Sequence, residues 1–275
     1  IIDKGVNKNK HMKTRYLIFS DVHGEYDVLQ AALRKRHYDP TAKNQRLVDL
    51  GDNFDRGLQS RERLEWITDR RLANKLISIR GNHEVRWNQL MDNPDNLDKE
   101  IDVNNGALET LNSWTNNKYN LTDKSSEAAV KDAIKSIPSE IKQRFSYYWR
   151  NSHWYADNKT YLCTHAWLPF TRTDDKPTPT SHWYLWAEAT WTNTLKEVSK
   201  KAAPTKKTLV IGHYWNNQLG MEWALQHKVP LSDVKESRTH VVNCSPDFIA
   251  LDNATYSTKQ VAVWELITND HLRRH

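Results

Sequence analysis

The chain has 275 residues, of which 38% are hydrophobic and 27% charged, and a formal net charge of +6. That apolar content suffices for a packed core in one large domain or two small ones. No run of 18 apolar residues marks a membrane span, two cysteines cannot supply a disulfide framework, and no dense Lys/Arg run marks a nucleic-acid surface.

The opening IIDKGVNKNKHM lacks the apolar stretch of a signal peptide, which predicts a cytoplasmic protein. His11-Met12 reads as a cloning junction, so residues 1–11 are expected to be vector-derived and 12–275 a single domain. Removing Asp3, Lys4, Lys8 and Lys10 takes the charge from +6 to +4. That mild excess suits phosphorylated partners and no membrane, and leaves nucleic acid open as a less favoured one. Cys163 and Cys244 sit in apolar surroundings and are expected to be buried thiols.

Three apolar runs then alternate with helical patterns. Arg15–Asp21 predicts a buried strand, followed by a helix over Tyr26–Arg36 with Val28, Leu29, Ala32 and Leu33 on one face. Arg46–Asp52 predicts the second strand and Ser60–Leu72 the second helix. Lys75–Asn82 is the third strand, running into a helix that begins near His83. This βαβαβ order implies parallel strands, with ligands bound beyond their carboxyl ends.

Those ends hold the chemically capable side chains: Asp21 and His23 in SDVHG; Asp52, Asp55 and Arg56 in GDNFDRG; Asn82, His83 and Glu84 in GNHE. If the strands are neighbours, the exit loops meet, and carboxylates forced together repel unless a cation lies between them. Mixed Asp, His and Asn donors suit Mn, Fe, Zn, Co or Ni better than calcium. Two later apolar runs, Thr160–Ala166 and Lys207–Trp215, end near His165 and His213. A lone histidine at a strand end is usually a hydrogen-bonded core or loop residue; five strand ends each carrying a metal-capable group are a pattern.

Between Asp92 and Arg150 the periodicity is helical, with Glu127–Ile137 and Ser139–Trp149 separated by Pro138. Eight of the twelve tryptophans lie between Trp149 and Trp223; such residues are expected mainly in packing, although they could stack on a nucleobase.

SDVHG, GDNFDRG, RGNHE, THAW and VIGH together resemble the signature of the calcineurin-like metallophosphoesterases, in particular the phosphoprotein phosphatase branch. HAWLPF is similar to a segment of the lambda-type phosphatases, FIALDNAT to a near-terminal strand-turn, and NNGALETLNSW (Asn104–Trp114) to a segment of bacterial relatives. The likeness extends from Tyr16 to about Leu266 and includes diadenosine-tetraphosphatase-like enzymes. It implies an α/β fold, a β-sandwich of two mixed sheets flanked by helices, with a helical cap inserted at about 93–150. It further implies two divalent metal ions, manganese foremost with Fe, Zn, Ni or Co as alternatives, about 3.5–4 Å apart. By motif, Asp21 and His23 hold one ion, Asn82, His165 and His213 the other, and Asp52 bridges them. A bridging hydroxide would attack phosphorus, His83 would protonate the leaving oxygen with Asp55 as its partner, and Arg56 would grip the phosphoryl oxygens.

Arg80 is expected either to contact substrate or to brace its loop, Glu84 to begin a helix, and Asp252 to be structural. The expected substrate is a phosphomonoester, of protein phosphoserine/threonine or of a small molecule. The alternatives are a nucleotide phosphodiesterase or dinucleoside polyphosphate hydrolase, and a non-catalytic binding module. The chain departs from the family at YLWAEATW (Tyr184–Trp191), where Glu188 stands in place of a second phosphate-binding arginine; Arg172 in the Thr171–His182 loop is a possible substitute.

Overall fold

Ten strands form two sheets in the computed structural model, which describes residues 13–69, 72, 74–166, 207–213, 242–245 and 248–275. The first sheet contains β1 (Thr14–Phe19), β2 (Gln45–Asp49), β3 (Leu76–Ser78) and β9 (Trp264–Thr268) in the order β3-β2-β1-β9. β1, β2 and β3 are parallel, as the βαβαβ pattern requires, and β9 adds antiparallel to β1. The second sheet contains β4 (Tyr155–Asp157), β5 (Tyr161–Thr164), β6 (Thr208–Ile211), β7 (Val242–Ser245), β8 (Phe248–Ala250) and β10 (Arg273–Arg274) in the order β10-β4-β5-β6-β8-β7.

Alternation along the strands divides the core in two. Leu17, Phe19, Leu47 and Leu76 face the helical layer, whereas Tyr16, Ile18, Val48 and Ile77 face the second sheet and meet Ala156, Cys163, Val210 and Ile249. A period of two puts successive side chains on opposite faces, so a strand covered on both sides reads as a continuous apolar run. The helical layer consists of α1 (Tyr26–Lys35), α2 (Ser60–Ile67), α3 (Asn82–Asp92), α4 (Lys99–Asn104), α5 (Ala107–Trp114), α6 (Glu127–Lys135) and α7 (Ser139–Asn151); a short α8 (Thr255–Thr258) follows β8. α2 is shorter than the expected Ser60–Leu72: Thr68 returns its hydroxyl to the Leu64 carbonyl at 2.6 Å, and the chain turns there. The strands also stop earlier than their apolar runs, so that the last residues of each run form the exit loop.

Register brings those loops to one level. Phe19 lies opposite Asp49, and Asp49 opposite Ser78, so residues 20–24, 50–57 and 79–84 leave the sheet side by side. In the second sheet Cys163 lies opposite Val210 and Ile211 opposite Ala250, so His165, His213 and Asp252 leave together.

Asp49 shares the Leu47 face and therefore points into the helical layer. There its carboxylate accepts from Arg63 Nη2 of α2 at 2.6 Å, both side chains being fully buried. The same nitrogen donates to Asn53 Oδ1 in the exit loop, and the guanidinium lies 4.9 Å from the centre of the Trp66 ring. A buried pair of this kind costs desolvation of both ions, and removing one partner leaves the other charge uncompensated. Its placement directly beneath the loop of Asp52 ties that loop to α2.

Candidate metal and phosphate site

Six of the residues singled out at the strand ends adopt left-handed backbone: Asp21, His23, Asp52, Asp55, Arg56 and His213, with φ between 46° and 71°. Such a conformation costs a non-glycine residue about 1–3 kcal/mol and persists only where the surroundings enforce it. Here the loops enforce it on one another. Asp21 N–H donates to the Gly51 carbonyl (3.0 Å), His23 N–H to Asp52 (3.0 Å) and Gly24 N–H to Asn53 (2.9 Å). Glu84, in the first turn of α3, accepts the N–H groups of Gly81 (2.6 Å), Asp52 (2.9 Å) and Asn53 (2.7 Å). It thus begins the helix as expected and also stitches the β2 loop to it; burial, with Asp52 and Asp49 nearby, raises its pKa to about 7 against the pull of those N–H donors. Gly81 cannot carry a side chain, because a Cβ would lie 2.1 Å from Asp52 Oδ1.

Within this frame Asp52 is central. Its Oδ1 lies 3.4 Å from His165 Nε2, and its Oδ2 lies 3.8 Å from His23 Nε2 and 3.7 Å from His83 Nε2. Burial opposes its charge, but His165, His83 and His23 more than offset this and hold the carboxyl well below its usual range. Among the described residues two groups of donors close enough to hold a cation result: His23, Asp52 and His83; and Asp52, His165 and His213. Asp21 Oδ1 stands 3.9 Å from His23 Nε2, and Asn82 Oδ1 stands 3.0 Å from His165 Nε2.

The hydrogen bonds set the histidine tautomers. His23 Nδ1 contacts the Phe54 carbonyl at 2.9 Å and His165 Nδ1 the Leu50 carbonyl at 2.8 Å; a carbonyl only accepts, so the protons sit on Nδ1 and each Nε2 points into the site. At His165 this brings Nε2 against Asn82 Oδ1, Asp52 Oδ1 and, at 3.2 Å, His213 Nδ1. Such a convergence of acceptor atoms calls for a positive charge among them. The electrostatics give the same answer: burial disfavours a second proton on His165, but Asp52 and Asp21 raise its pKa to about 10, while burial and His165 lower that of His213 to about 3. Asp21 Oδ1 is buried without a hydrogen-bond partner among the described residues, and burial, reinforced by Asp252, raises its pKa well above the usual carboxylate range. An orphaned carboxylate oxygen and converging imidazole and amide acceptors fit a divalent cation bound by nitrogen and oxygen.

Beside the donors, His83 Nδ1 pairs with Asp55 Oδ2 at 2.5 Å. Burial works against charge on His83, but Asp52 and Asp55 raise its pKa above the ordinary value. Asp55 is fixed from two further sides: Trp87 Nε1 donates to its Oδ1 at 2.7 Å, and its own N–H donates to Thr110 Oγ1 at 2.7 Å. Neither residue was expected at the site. Trp87 could have been found, since it follows His83 by four residues and so shares its helix face; Thr110, on α5, lies in the NNGALETLNSW segment that resembles bacterial relatives, but that likeness gave it no role.

Arg56 donates from Nη1 to His23 Nε2 at 2.7 Å, and its Cζ lies 4.9 Å from the centre of the Tyr256 ring. Its N–H donates to the Gly106 carbonyl at 3.1 Å; Gly106 has φ 90° and approaches so closely that a Cβ would lie 2.3 Å from Arg56 N. Arg80 makes different contacts. It donates from Nε to Ser152 Oγ at 3.0 Å and from Nη2 to the Trp149 carbonyl at 2.9 Å, with the rings of Trp149 and Trp154 at 4.3 and 4.4 Å from its Cζ. These contacts match the brace, one of its two expected roles. Asp252 accepts from Ala254 N–H at 2.7 Å, and burial raises its pKa to about 6. Glu188, Arg172 and most of the later tryptophans lie outside the described residues, as does the side chain of Cys244; Cys163 is a buried free thiol.

Known proteins resemble this chain in family and in fold. Among curated proteins, serine/threonine-protein phosphatase 2 of Escherichia coli (strain K12) is 37% identical over 79 residues, 28% of this chain and 33% of that protein, so the match spans about a third of the relative's length. Among solved structures, a cold-active protein-tyrosine phosphatase of a psychrophilic Shewanella sp. superposes with a TM-score of 0.53 over 93% of this chain and 75% of that one, at 16% identity, which is a likeness of fold. The family model for calcineurin-like phosphoesterases matches residues 14–231, and the chain belongs to that family of phosphoester hydrolases.

Proposed function

We propose that the chain is a dinuclear metal-dependent phosphomonoesterase. The observation that carries this reading is the pairing of His83 with Asp55 at 2.5 Å, which engages the Nδ1 of a histidine that itself belongs to one of the two donor groups sharing Asp52. Asp21, His23 and Asp52 would hold one ion, and Asp52, Asn82, His165 and His213 the other, manganese being our first choice for a nitrogen and oxygen donor set. When bound, such ions supply Lewis acidity and lower the pKa of a water towards neutrality.

The chain's own residues perform the rest. Asp55, locked by Trp87 and Thr110, holds the proton of His83 Nδ1 and orients the ring so that Nε2 faces the Asp52 side. His83 in its charged form then donates from Nε2 to the departing ester oxygen. Arg56 offers a planar fork to the phosphoryl oxygens, a task in which lysine is a poor substitute. Arg80 keeps the end of α7 against the GNHE loop. The substrate class that suits this equipment is a phosphomonoester, on a protein serine or threonine or on a small molecule.

The test is a parallel assay of manganese-loaded protein on an aryl phosphomonoester, a diester, a phosphopeptide and a dinucleoside tetraphosphate. Turnover should favour a monoester, vanish on chelation and return with manganese. His83→Ala should keep the bound metal and lose roughly 10²- to 10⁴-fold in turnover on an alkyl phosphate, with a smaller loss on an aryl phosphate whose oxygen needs no proton. Preference for the diester or the dinucleotide would replace this reading with nucleotide hydrolysis, and full turnover without metal would end it.

A further inference from the structure

The backbone sets where the Arg56 side chain starts: φ is 66° and the N–H is held by Gly106. Beyond that stem, two side chains among the described residues hold the guanidinium. One is His23, through the 2.7 Å bond to Nε2; the other is Tyr256 of α8, whose ring centre lies 4.9 Å from Cζ. The Tyr256 ring also meets the His23 ring edge-on, with centres 6.1 Å apart, so guanidinium, imidazole and phenol ring form one cluster.

These two supports differ in kind. His23 Nε2 has a single lone pair, and a cation held with Asp21 and Asp52 would use that same pair; guanidinium and cation cannot both have it. The aromatic face of Tyr256 has no such rival, because a ring attracts a neighbouring cation through its quadrupole and does not ligate hard divalent ions. An arginine that must act while His23 is engaged therefore needs the ring to keep it near the site.

We propose that Tyr256 is a positioning residue for Arg56: its half-buried ring holds the guanidinium fork beside the cation site and so sets affinity for a phosphoryl group. This rests on the reading of Arg56 as the phosphate-binding group. The ring does the holding and the hydroxyl is dispensable.

The experiment uses the full manganese-loaded chain and reads inorganic phosphate binding by calorimetry beside KM and kcat on an aryl phosphate. Tyr256→Leu should raise the phosphate dissociation constant and KM together by about 3- to 10-fold, with kcat within about twofold and metal content unchanged, which also controls for folding. Tyr256→Phe should restore both constants. In an Arg56→Ala background, Tyr256→Leu should add nothing further, since the two residues act as one. Wild-type phosphate affinity in Tyr256→Leu overturns the inference, as does equal loss in Tyr256→Phe and Tyr256→Leu, or full additivity with Arg56→Ala. If Arg56→Ala weakens phosphate binding and Tyr256→Leu does not, only this inference falls. If Arg56→Ala itself leaves phosphate binding unchanged, the phosphate-binding reading of Arg56 falls with it.

Discussion

Two donor groups share Asp52, and the protein treats them differently. Around His165, the imidazole nitrogens, Asn82 Oδ1 and Asp52 Oδ1 face one another within 3.0 to 3.4 Å, and the positive charge they call for can come from a proton on His165. Around His23, a guanidinium already occupies the lone pair of Nε2, and burial together with that guanidinium and His83 keeps His23 neutral. The first group exchanges a proton for an ion, whereas the second gives up the Arg56 hydrogen bond. One carboxylate can therefore serve two cation sites with different competitors, a proton at His165 and the Arg56 guanidinium at His23.

The largest effect should follow from removing what the two groups share. Asp52→Ala takes a donor from both, so bound manganese, measured per chain by elemental analysis, should fall from two towards none and turnover by roughly 10³-fold or more, as when a group on which the whole site depends is lost. Retention of two ions would show that the groups are independent and break the comparison.

The next effect concerns the foundation of the loop that both groups share. Asp49→Ala leaves Arg63 buried and unpaired under the Asp52 loop, and should cost about 3–5 kcal/mol of stability in urea unfolding of the metal-free protein. A cost below about 1 kcal/mol, the scale of an exposed pair, would mean that the loop does not depend on it.

The smallest effect is the sharpest test. Arg56→Ala removes the competitor for His23, so in phosphate-free buffer one of two manganese-binding steps should tighten about tenfold by calorimetry, a charged hydrogen bond no longer having to be broken. The other step, at the His165 group, should not move. Unchanged or weaker binding in both steps would remove Arg56 as a competitor for His23.

Much of this site could be read along the chain. Asp21, His23, Asp52, Asn82, His165 and His213 follow apolar runs directly, and the parallel register carries them to a common edge. The boundaries were less legible: each run was longer than its strand, because hydrophobic residues continue into loops that are themselves buried beneath the site. For Arg80 the brace was one of two readings, but nothing in RGNHE tells that the partner is the carbonyl of Trp149, 69 positions away.

By itself, then, the amino-acid sequence determined which side chains stand at strand ends and which faces the strands bury, because both depend on spacings of two to four residues. Only the tertiary structure decided what holds those side chains: Arg63 under Asp49, Trp87 and Thr110 around Asp55, and Tyr256 against Arg56. The reason is physical. Each of these partners lies on a separate element, and whether a buried donor finds its acceptor depends on how elements pack, information that no local period contains.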